Sequence, residues 1–345
     1  MPDVFQLPPA DRRDAMEYAA DRSGRPAHLL EKDLWVVWAL KTLFTGPFCT
    51  HLIFKGGTSL SKAYGIIRRF SEDVDLTYDI RAIAGDLVSA ADKNLLPRSR
   101  SQQQRWSQEI RSRLSQKISA EIVPTLAQAL REQGLPAAVR AEGERAFIDY
   151  ALPTGATSYV RPSVLLEFGA RSSGEPHESR TVVCDAAPYL TEVDFPTAIA
   201  QVMLPERTFW EKATAIHVFC AQGRFRSGER FSRHWHDLTR LDRAGRVDRA
   251  IADRPLARVV ADHKAAFFPE KDASANRINY LAAVSGHLHL VPEGSCSARL
   301  ADDYRQMIED GLLLEDVESF DQLIEECRRI QDKANRPLTG ESPGT

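Results

Sequence analysis

The chain has 345 residues, of which 43% are hydrophobic and 27% charged, a composition typical of a folded globular protein with a sizeable core. Its formal net charge of −3 does not by itself indicate a polyanionic partner, and its five cysteines never form a CxxC pair, which argues against a disulfide framework and a zinc site. The apolar runs are shorter than the roughly 20 residues of a membrane span, and the N-terminus lacks a signal-peptide pattern, so we expect a cytoplasmic protein without a membrane segment.

The N-terminal part of the chain predicts two helices followed by a strand, a glycine turn, a helix and a second strand. The helices are "PPADRRDAMEYAADRSG" and "AHLLEKDLWVVWALKTLF", and the short strand is "HLIF". Gly56 and Gly57 follow, and Thr58 or Ser59 could cap a helix that runs to about Arg69. The strand "DVDLTY" comes next, which places the glycine turn and the acidic strand in one unit.

The middle of the chain predicts helices and then strands, and the last part predicts helices. Residues 100–134 indicate one long or two short helices, and extended stretches are expected near 137–142, 146–151 and 163–169, with "TVVCD" as a fourth. From about Pro196 the pattern is helical almost to the end. We therefore predict an α+β fold with a mixed sheet in residues 1–195 and a helical domain in residues 196–345.

The strand "DVDL" places two carboxylates together. Residues two apart in a strand share a face, so Asp73 and Asp75 point the same way and repel each other unless a cation lies between them. Mg²⁺ prefers oxygen ligands and is usually held by one or two carboxylates together with substrate phosphates. An exposed acidic strand face is the simpler interpretation of a DxD pattern taken alone.

The glycine turn predicts a phosphate-binding element. Without side chains, Gly56 and Gly57 allow backbone amides to approach a phosphate, and the helix that follows presents its positive end to an anion. Ser59 and Ser61 add hydroxyl donors, and Lys55 or Lys62 could neutralise negative charge. We expect Thr58 and Ser59, with the two glycines, to hold the phosphate groups. A glycine pair alone is more often an ordinary turn, but the turn and the acidic strand together indicate a nucleoside triphosphate held against a metal.

The motif "KGGTSLSKAYGIIRRFSEDVDL" resembles the signature of the AbiEii/AbiGii toxin family, a branch of the polymerase-β-like nucleotidyltransferases. The resemblance includes Arg69 and Ser71 ahead of the aspartates. It implies a polymerase-β-like core and a third metal carboxylate on a later strand, for which "SVLLEFGAR" supplies Glu167. Pairing of Glu167 with Arg171, or a position at an exposed sheet edge, is the competing interpretation.

A second cluster is implied by the same resemblance. "PERTFWEKATAIHVF" predicts a helix from Pro205, and the family has a phosphate-contacting lysine in a similar "R..W.EK" setting, which corresponds to Lys212. Arg207 is a further candidate for that role. The stretch "RHWHDL" supplies Asp237, which would position Lys212 or the acceptor. A lysine beside an apolar stripe more often extends to solvent, and the nearby histidines lack a third metal ligand at suitable spacing.

Two basic stretches with aromatic residues could contact RNA. They are "RSRSQQQRWSQEIRSRLSQK" and "RFRSGERFSRHWHDLTRLDRAGR". A solvated helix face with ordinary core aromatics is the simpler interpretation, and we favour it for the first stretch. For the second stretch, which includes Asp237, we favour RNA contact.

The combined expectation is a toxin of a toxin-antitoxin system that transfers nucleotides from an NTP to RNA and blocks translation and growth. The resemblance implies Mg²⁺ as cofactor, with Mn²⁺ as the alternative, held by Asp73, Asp75 and Glu167. It also implies the tRNA 3′ end as acceptor and a cognate antitoxin as partner. Transfer to a protein or small molecule, and nucleotide binding without catalysis, remain open. Ser71 is assigned to the nucleotide site, and its phosphorylation could block the triphosphate.

Overall fold

The computed structural model describes residues 1–69, 73–88, 96–97, 99–151, 162–223, 230–313 and 318–336. Their backbone contacts separate into two compact units. The first consists of the described residues of Met1–Gly65, Ser71–Ala91 and Gln104–Met203, and the second of those of Ile66–Phe70, Asp92–Gln103 and Leu204–Thr345. None of the described helices combines the length and the apolar character that a membrane span needs.

A seven-stranded mixed sheet forms the framework of the first unit. In chain order its strands are β1 Leu52–Lys55, β2 Asp73–Tyr78, β3 Ala137–Glu142, β4 Arg145–Tyr150, β5 Ser163–Gly169, β6 His177–Val183 and β7 Thr197–Met203. They lie side by side in the order β3-β4-β5-β2-β1-β7-β6. β2 pairs antiparallel with β1 and parallel with β5, and β1 pairs parallel with β7. The acidic strand β2 therefore lies at the centre of the sheet, and the predicted mixed sheet is confirmed.

The first unit also contains helices, some of which pack against this sheet. In chain order they are α1 Pro9–Ser23, α2 Ala27–Thr45, α3 Gly56–Lys62, α4 Ile80–Ala84, α5 Arg100–Lys117, whose first residues to Gln103 belong to the second unit, and α6 Val123–Glu132. Contacts with the sheet come from α2, α3 and α6. α2 packs mainly against β7 and is buried along most of its length, with Trp35 and Trp38 almost inaccessible to solvent. A short π-helical segment, Ile118–Ile122, joins α5 to α6 without a break, so the predicted helical region 100–134 is continuous.

The helix after the glycine turn is shorter than the sequence indicated. We expected it to begin after a Thr58 or Ser59 cap and to reach Arg69, but α3 begins at Gly56, with Lys55 as its N-cap, and ends at Lys62. Gly65 adopts a φ of 62°, a left-handed conformation that glycine accepts easily and that stops a helix. Arg69 consequently lies outside α3.

Helices dominate the second unit. In chain order they are α7 Pro205–Gln222, α8 Arg233–Arg243, α9 Arg246–Ala252, α10 Arg254–Phe267, α11 Tyr280–Val284, α12 Gly294–Glu309 and α13 Phe320–Asn335. α7 contacts α8, α9 and α10, and α13 packs against α8. The backbone of Arg69 forms an isolated bridge with Leu313, which ties the segment before β2 to this unit.

The expectation of helices from Pro196 was wrong for the first residues of that region. β7 occupies Thr197–Met203, where Thr197, Ile199 and Gln201 alternate with the buried Ala198, Ala200 and Val202. Alternation with a period of two defines a strand, but small alanines and an exposed isoleucine weaken the contrast between the two faces. The helical pattern begins at Pro205 instead.

Candidate active site

Four charged side chains form a row across four neighbouring strands of the sheet. Lys55 on β1 lies opposite Asp75 on β2, Asp75 beside Glu167 on β5, and Glu167 opposite Arg145 on β4. Side chains at paired positions project from the same face of a sheet, so we call these four residues the charge row. Val74 and Leu76, which alternate with Asp75, are completely buried on the other face. The predicted orientation of the acidic strand is therefore confirmed.

Glu167 is engaged within the charge row. Arg145 Nη2 lies 2.8 Å from Glu167 Oε1, and the Glu167 side chain retains 33% of its accessible surface. The sequence offered Arg171 as a competing partner for Glu167. In the structure, Arg171 Nη2 lies 3.7 Å from Glu144 Oε1. Arg145 faces Glu167 across the antiparallel pair of β4 and β5. The positions of the two residues in the sequence do not reveal this pairing.

Asp73 and Asp75 provide a donor set that fits a divalent cation. Their side chains lie on one face of β2, and their hard carboxylate oxygens are the ligands that Mg²⁺ and Mn²⁺ prefer. Within the described part of the chain, no three His, Cys, Asp or Glu side chains are grouped so as to hold a metal ion. Two carboxylates would therefore share a cation with oxygens of substrate or solvent, as is usual for Mg²⁺.

The glycine turn lies directly against Asp75. Gly56 has a φ of 78°, and a Cβ added there would lie 2.1 Å from Asp75 Oδ2 and 2.9 Å from Asp75 Cγ. Such a contact is far too short, so a side chain at this position would force the Asp75 carboxylate to move as well as strain the backbone. The absence of a side chain at Gly56 keeps the backbone of the turn open next to the aspartate pair.

The hydroxyl groups of the turn brace it internally. Thr58 Oγ1 donates to the backbone carbonyl of Asp73, and Ser59 Oγ donates to the carbonyl of Gly56 over 2.9 Å. Both side chains are buried, at 4% and 0% exposure. Thr58 thus joins the turn to β2 and Ser59 stabilises the first turn of α3, and the backbone amides are the groups of the turn best suited to meet a phosphate.

The two lysines that flank the turn have different environments. Lys62 Nζ is buried between Asp33 Oδ1 and Asp185 Oδ1, each at 2.6 Å, and Arg25 also pairs with Asp185. Burial alone would lower the pKa of Lys62, but the two carboxylates raise it above its usual value. Lys62 therefore remains charged as part of an internal ion network, whereas Lys55 lies in the charge row and is half-buried.

The second cluster is built around a fully buried aspartate in the second unit. Asp237 on α8 accepts from Arg69 Nε at 2.7 Å and Nη2 at 2.9 Å, and its Oδ2 lies 2.8 Å from Lys212 Nζ on α7. Burial would raise the pKa of Asp237, but Arg69 and Lys212 together lower it well below its usual range. Burial lowers the pKa of Lys212, assisted by Arg69 and opposed by Asp237.

The other residues near this cluster are mostly packed. Arg207 is 2% exposed, and its Nε lies 3.2 Å from Glu211. His236 is fully buried, with Nδ1 at 3.5 Å from Asp237 Oδ1, and His234 contacts the edge of the Phe231 ring. Burial lowers the pKa of His234 well below its usual value, so this ring is neutral and serves packing.

This chain matches the family model described as "Nucleotidyl transferase AbiEii toxin, Type IV TA system" over residues 38–326. The chain belongs to the AbiEii nucleotidyltransferase toxin family. Membership makes it a nucleotidyltransferase with a nucleotide substrate and a cognate antitoxin, as the motif around Gly56 and Asp75 predicted. None of the curated proteins matches it. A solved structure, MenT4, a nucleotidyltransferase toxin from Mycobacterium tuberculosis H37Rv, shares 17% identity over 95% of this chain and 98% of MenT4, with a TM-score of 0.42.

The predicted AbiEii site residues fall into two described groups. The first unit brings together Lys55, the glycine turn, Asp73, Asp75 and Glu167. The second unit brings together Lys212 and Asp237, with Arg207 on the same helix as Lys212. Ser71 lies outside the described residues, so its assignment to the nucleotide site stays a prediction.

The tryptophans of the basic stretches belong to the core. Trp106 on α5 is 4% exposed, and Trp235 on α8 is fully buried and donates to the Leu290 carbonyl over 2.7 Å. These indoles are therefore not available for stacking on bases, which agrees with the simpler interpretation of the first stretch and is contrary to the expected role of Trp235 in the second. Phe225 of the second stretch lies outside the described residues.

Proposed function

We propose that this AbiEii enzyme transfers a nucleotide from an NTP to an RNA acceptor, specifically the 3′ end of tRNA, and thereby blocks translation and growth until its antitoxin relieves the block. The observation that carries this proposal is the position of Gly56 against Asp75 within the charge row. A turn without side chains beside two carboxylates is suited to a triphosphate with its cation.

Asp73 and Asp75 would hold the cation, Mg²⁺ or alternatively Mn²⁺, with Glu167 as a third ligand if it leaves Arg145. When bound, the cation would stabilise negative charge on the triphosphate as a Lewis acid. The backbone amides of Gly56 and Gly57 would bind phosphate oxygens, and Lys55 would add positive charge at the end of the charge row. Lys212 would contact the triphosphate, with Asp237 setting its position.

The proposed reaction breaks a phosphoanhydride bond of the NTP and forms a phosphate ester bond to the acceptor. The oxygen of a terminal ribose hydroxyl forms a bond to the α-phosphorus as the bond from that phosphorus to pyrophosphate breaks, and the hydroxyl proton passes to solvent. The residues above would orient the triphosphate and offset its charge, which are the main contributions of proteins to phosphoryl-type transfers.

Labelling of total tRNA tests the proposal. The purified chain is incubated with each of the four α-³²P-labelled NTPs and Mg²⁺, together with total tRNA, periodate-oxidised tRNA or an RNA-free protein fraction. We expect label in intact tRNA and none in oxidised tRNA, because oxidation destroys the terminal ribose diol. Label in the protein fraction, or in oxidised tRNA to the same extent, would contradict the assigned acceptor.

Two further samples test the assigned residues. Asp75→Asn and an EDTA-treated wild-type sample should each lose labelling by at least about 100-fold, since a direct ligand should matter at least as much as its outer-shell partners. Glu178→Gln, which changes a strand carboxylate on β6, serves as the matched control and should retain full labelling. Undiminished labelling by Asp75→Asn would contradict the proposed site.

A further inference from the structure

Arg69 binds Asp237 with the two-pronged geometry that a guanidinium and a carboxylate favour. Nε contacts Oδ1 at 2.7 Å and Nη2 contacts Oδ2 at 2.9 Å, so both carboxylate oxygens are fixed at once. The side chains of Arg69 and Asp237 are 4% and 0% exposed. A buried fork of this kind defines the rotation of the carboxylate as well as its position.

Asp237 Oδ2 is shared between Arg69 and Lys212. The same oxygen that receives Arg69 Nη2 lies 2.8 Å from Lys212 Nζ. An ammonium group has three N–H donors, and Asp237 takes one of them, which leaves up to two for phosphate oxygens. The directions of the remaining N–H donors depend on the position of Asp237 Oδ2. Arg69 fixes that position.

The charges of the cluster agree with a positioning role for Arg69 and a phosphate-binding role for Lys212. Two buried cations share one buried anion, so the cluster carries an excess positive charge that suits an anionic ligand. Without Arg69, the Asp237 carboxylate would be held chiefly by Lys212 and could rotate with it. The lysine would then lose a fixed anchor even though its charge would remain.

We propose that Arg69 is a positioning residue for nucleotide binding, which fixes the Asp237 carboxylate so that Lys212 presents its ammonium group in one orientation. This inference rests on the proposed contact between Lys212 and the triphosphate. It gives a physical role to the arginine that precedes Asp73 by four positions in the sequence motif.

The test compares two arginine–carboxylate forks that involve α8, one through its Asp237 and the other through its Arg240. Arg240 on α8 pairs with Glu318 through Nη1 at 2.9 Å and Nη2 at 3.0 Å, with side-chain exposures of 6% and 7%. Arg69→Lys and Arg240→Lys each keep a buried positive charge and remove one fork, which favours folding of both variants. Only the first fork contacts the carboxylate that holds Lys212.

Affinity for the non-hydrolysable α,β-methylene analogue of each NTP is measured by calorimetry with Mg²⁺ on wild type, both arginine variants and Lys212→Met. Thermal melting gives the folded fraction. We expect Arg69→Lys to weaken binding by about 10-fold or more, as loss of an outer-shell partner does at metal sites. Arg240→Lys should bind within about twofold of wild type.

The outcomes separate this inference from the proposed function. Binding by folded Arg69→Lys within twofold of wild type, or an equal loss in Arg240→Lys, would overturn the positioning role while the function stands. A wild-type chain that binds none of the analogues, or a Lys212→Met variant that binds as wild type does, would overturn the lysine contact and with it the role of Arg69.

Discussion

Gly56 and Asp75 are in such close contact that a methyl group on the first would collide with the carboxylate of the second. The distance from an added Cβ to Asp75 Oδ2 would be 2.1 Å. The turn after β1 and the acidic strand β2 therefore form one structural element, although the two residues are separated by the whole of α3 and the segment that follows it.

Gly56→Ala should abolish transfer while leaving the chain folded. The substitution adds the collision with Asp75 to a left-handed backbone strain of about 1–2 kcal/mol. Gly65→Ala is the matched control, because Gly65 also has a positive φ, of 62°, but an added Cβ there would meet nothing within 4 Å. Labelling and melting temperature are measured for both. Equal activities of the two variants would show that the contact with Asp75 is unimportant.

Lys55 and Lys62 should respond differently to replacement by methionine. Lys62→Met leaves the buried Asp33 and the half-buried Asp185 without their shared cation, and the loss of a buried partner typically costs about 3–5 kcal/mol of unfolding free energy. Lys55→Met should change stability by less than about 1 kcal/mol, because Lys55 is only half-buried. Its affinity for NTP should fall. Denaturant unfolding and nucleotide titration distinguish the two lysines, and a reversal of these effects would refute the assignment.

Asp237→Asn should destabilise the chain more than Lys212→Met does. The first change leaves Arg69 and Lys212 buried with no counter-charge, at a cost of about 3–5 kcal/mol. The second removes a lysine whose pKa is already lowered by burial, and Asp237 keeps its fork with Arg69. We expect Lys212→Met to unfold at a denaturant concentration close to that of wild type and to have lost transfer. A larger loss of stability in Lys212→Met would contradict this account.

Acid should destabilise the chain partly through His217. Burial, together with the neighbouring His289, lowers the pKa of His217 from 6.5 to about 4. The unfolded chain therefore takes up a proton near pH 6.5 that the folded chain refuses until about pH 4, so stability falls as pH decreases through that window. At pH 5 the loss amounts to about 2 kcal/mol from this residue, at about 1.4 kcal/mol per pH unit.

His217→Gln tests the origin of this pH dependence. The His289 amide donates to His217 Nδ1 over 3.1 Å, and glutamine can offer an acceptor to the same amide without titrating. The difference in unfolding free energy between pH 7 and pH 5 should be smaller in the variant than in wild type. An unchanged slope would show that other groups account for the acid sensitivity.

The sequence predicted the elements that carry a strong local pattern. Alternation in "DVDLTY" correctly placed Asp75 on the face opposite Val74 and Leu76, and the family motif correctly identified a nucleotidyltransferase. β7 is not evident in the sequence because alanines give little contrast between its faces, and α3 is shorter than predicted because the left-handed Gly65 stops the helix.

Local sequence patterns do not predict which residues pair across a sheet or between distant segments of the chain. The pairing of Glu167 with Arg145 depends on the register of β4 and β5, and the fork between Arg69 and Asp237 joins residues 168 positions apart. A charged residue that becomes buried needs a partner of opposite charge, but the sequence does not show which residue that partner is. The sequence identifies Arg69 only as part of the family motif and assigns no separate role to it.

The charge row also constrains how related chains can vary. Each of its four members comes from a different strand, and each is aligned by backbone pairing with its neighbours. Loops between these strands can lengthen or shorten without disturbing the row, but loss or gain of one residue inside a strand would turn its charge to the opposite face. Comparisons among homologues should therefore show gaps clustered between the strands and none within β2 or β5.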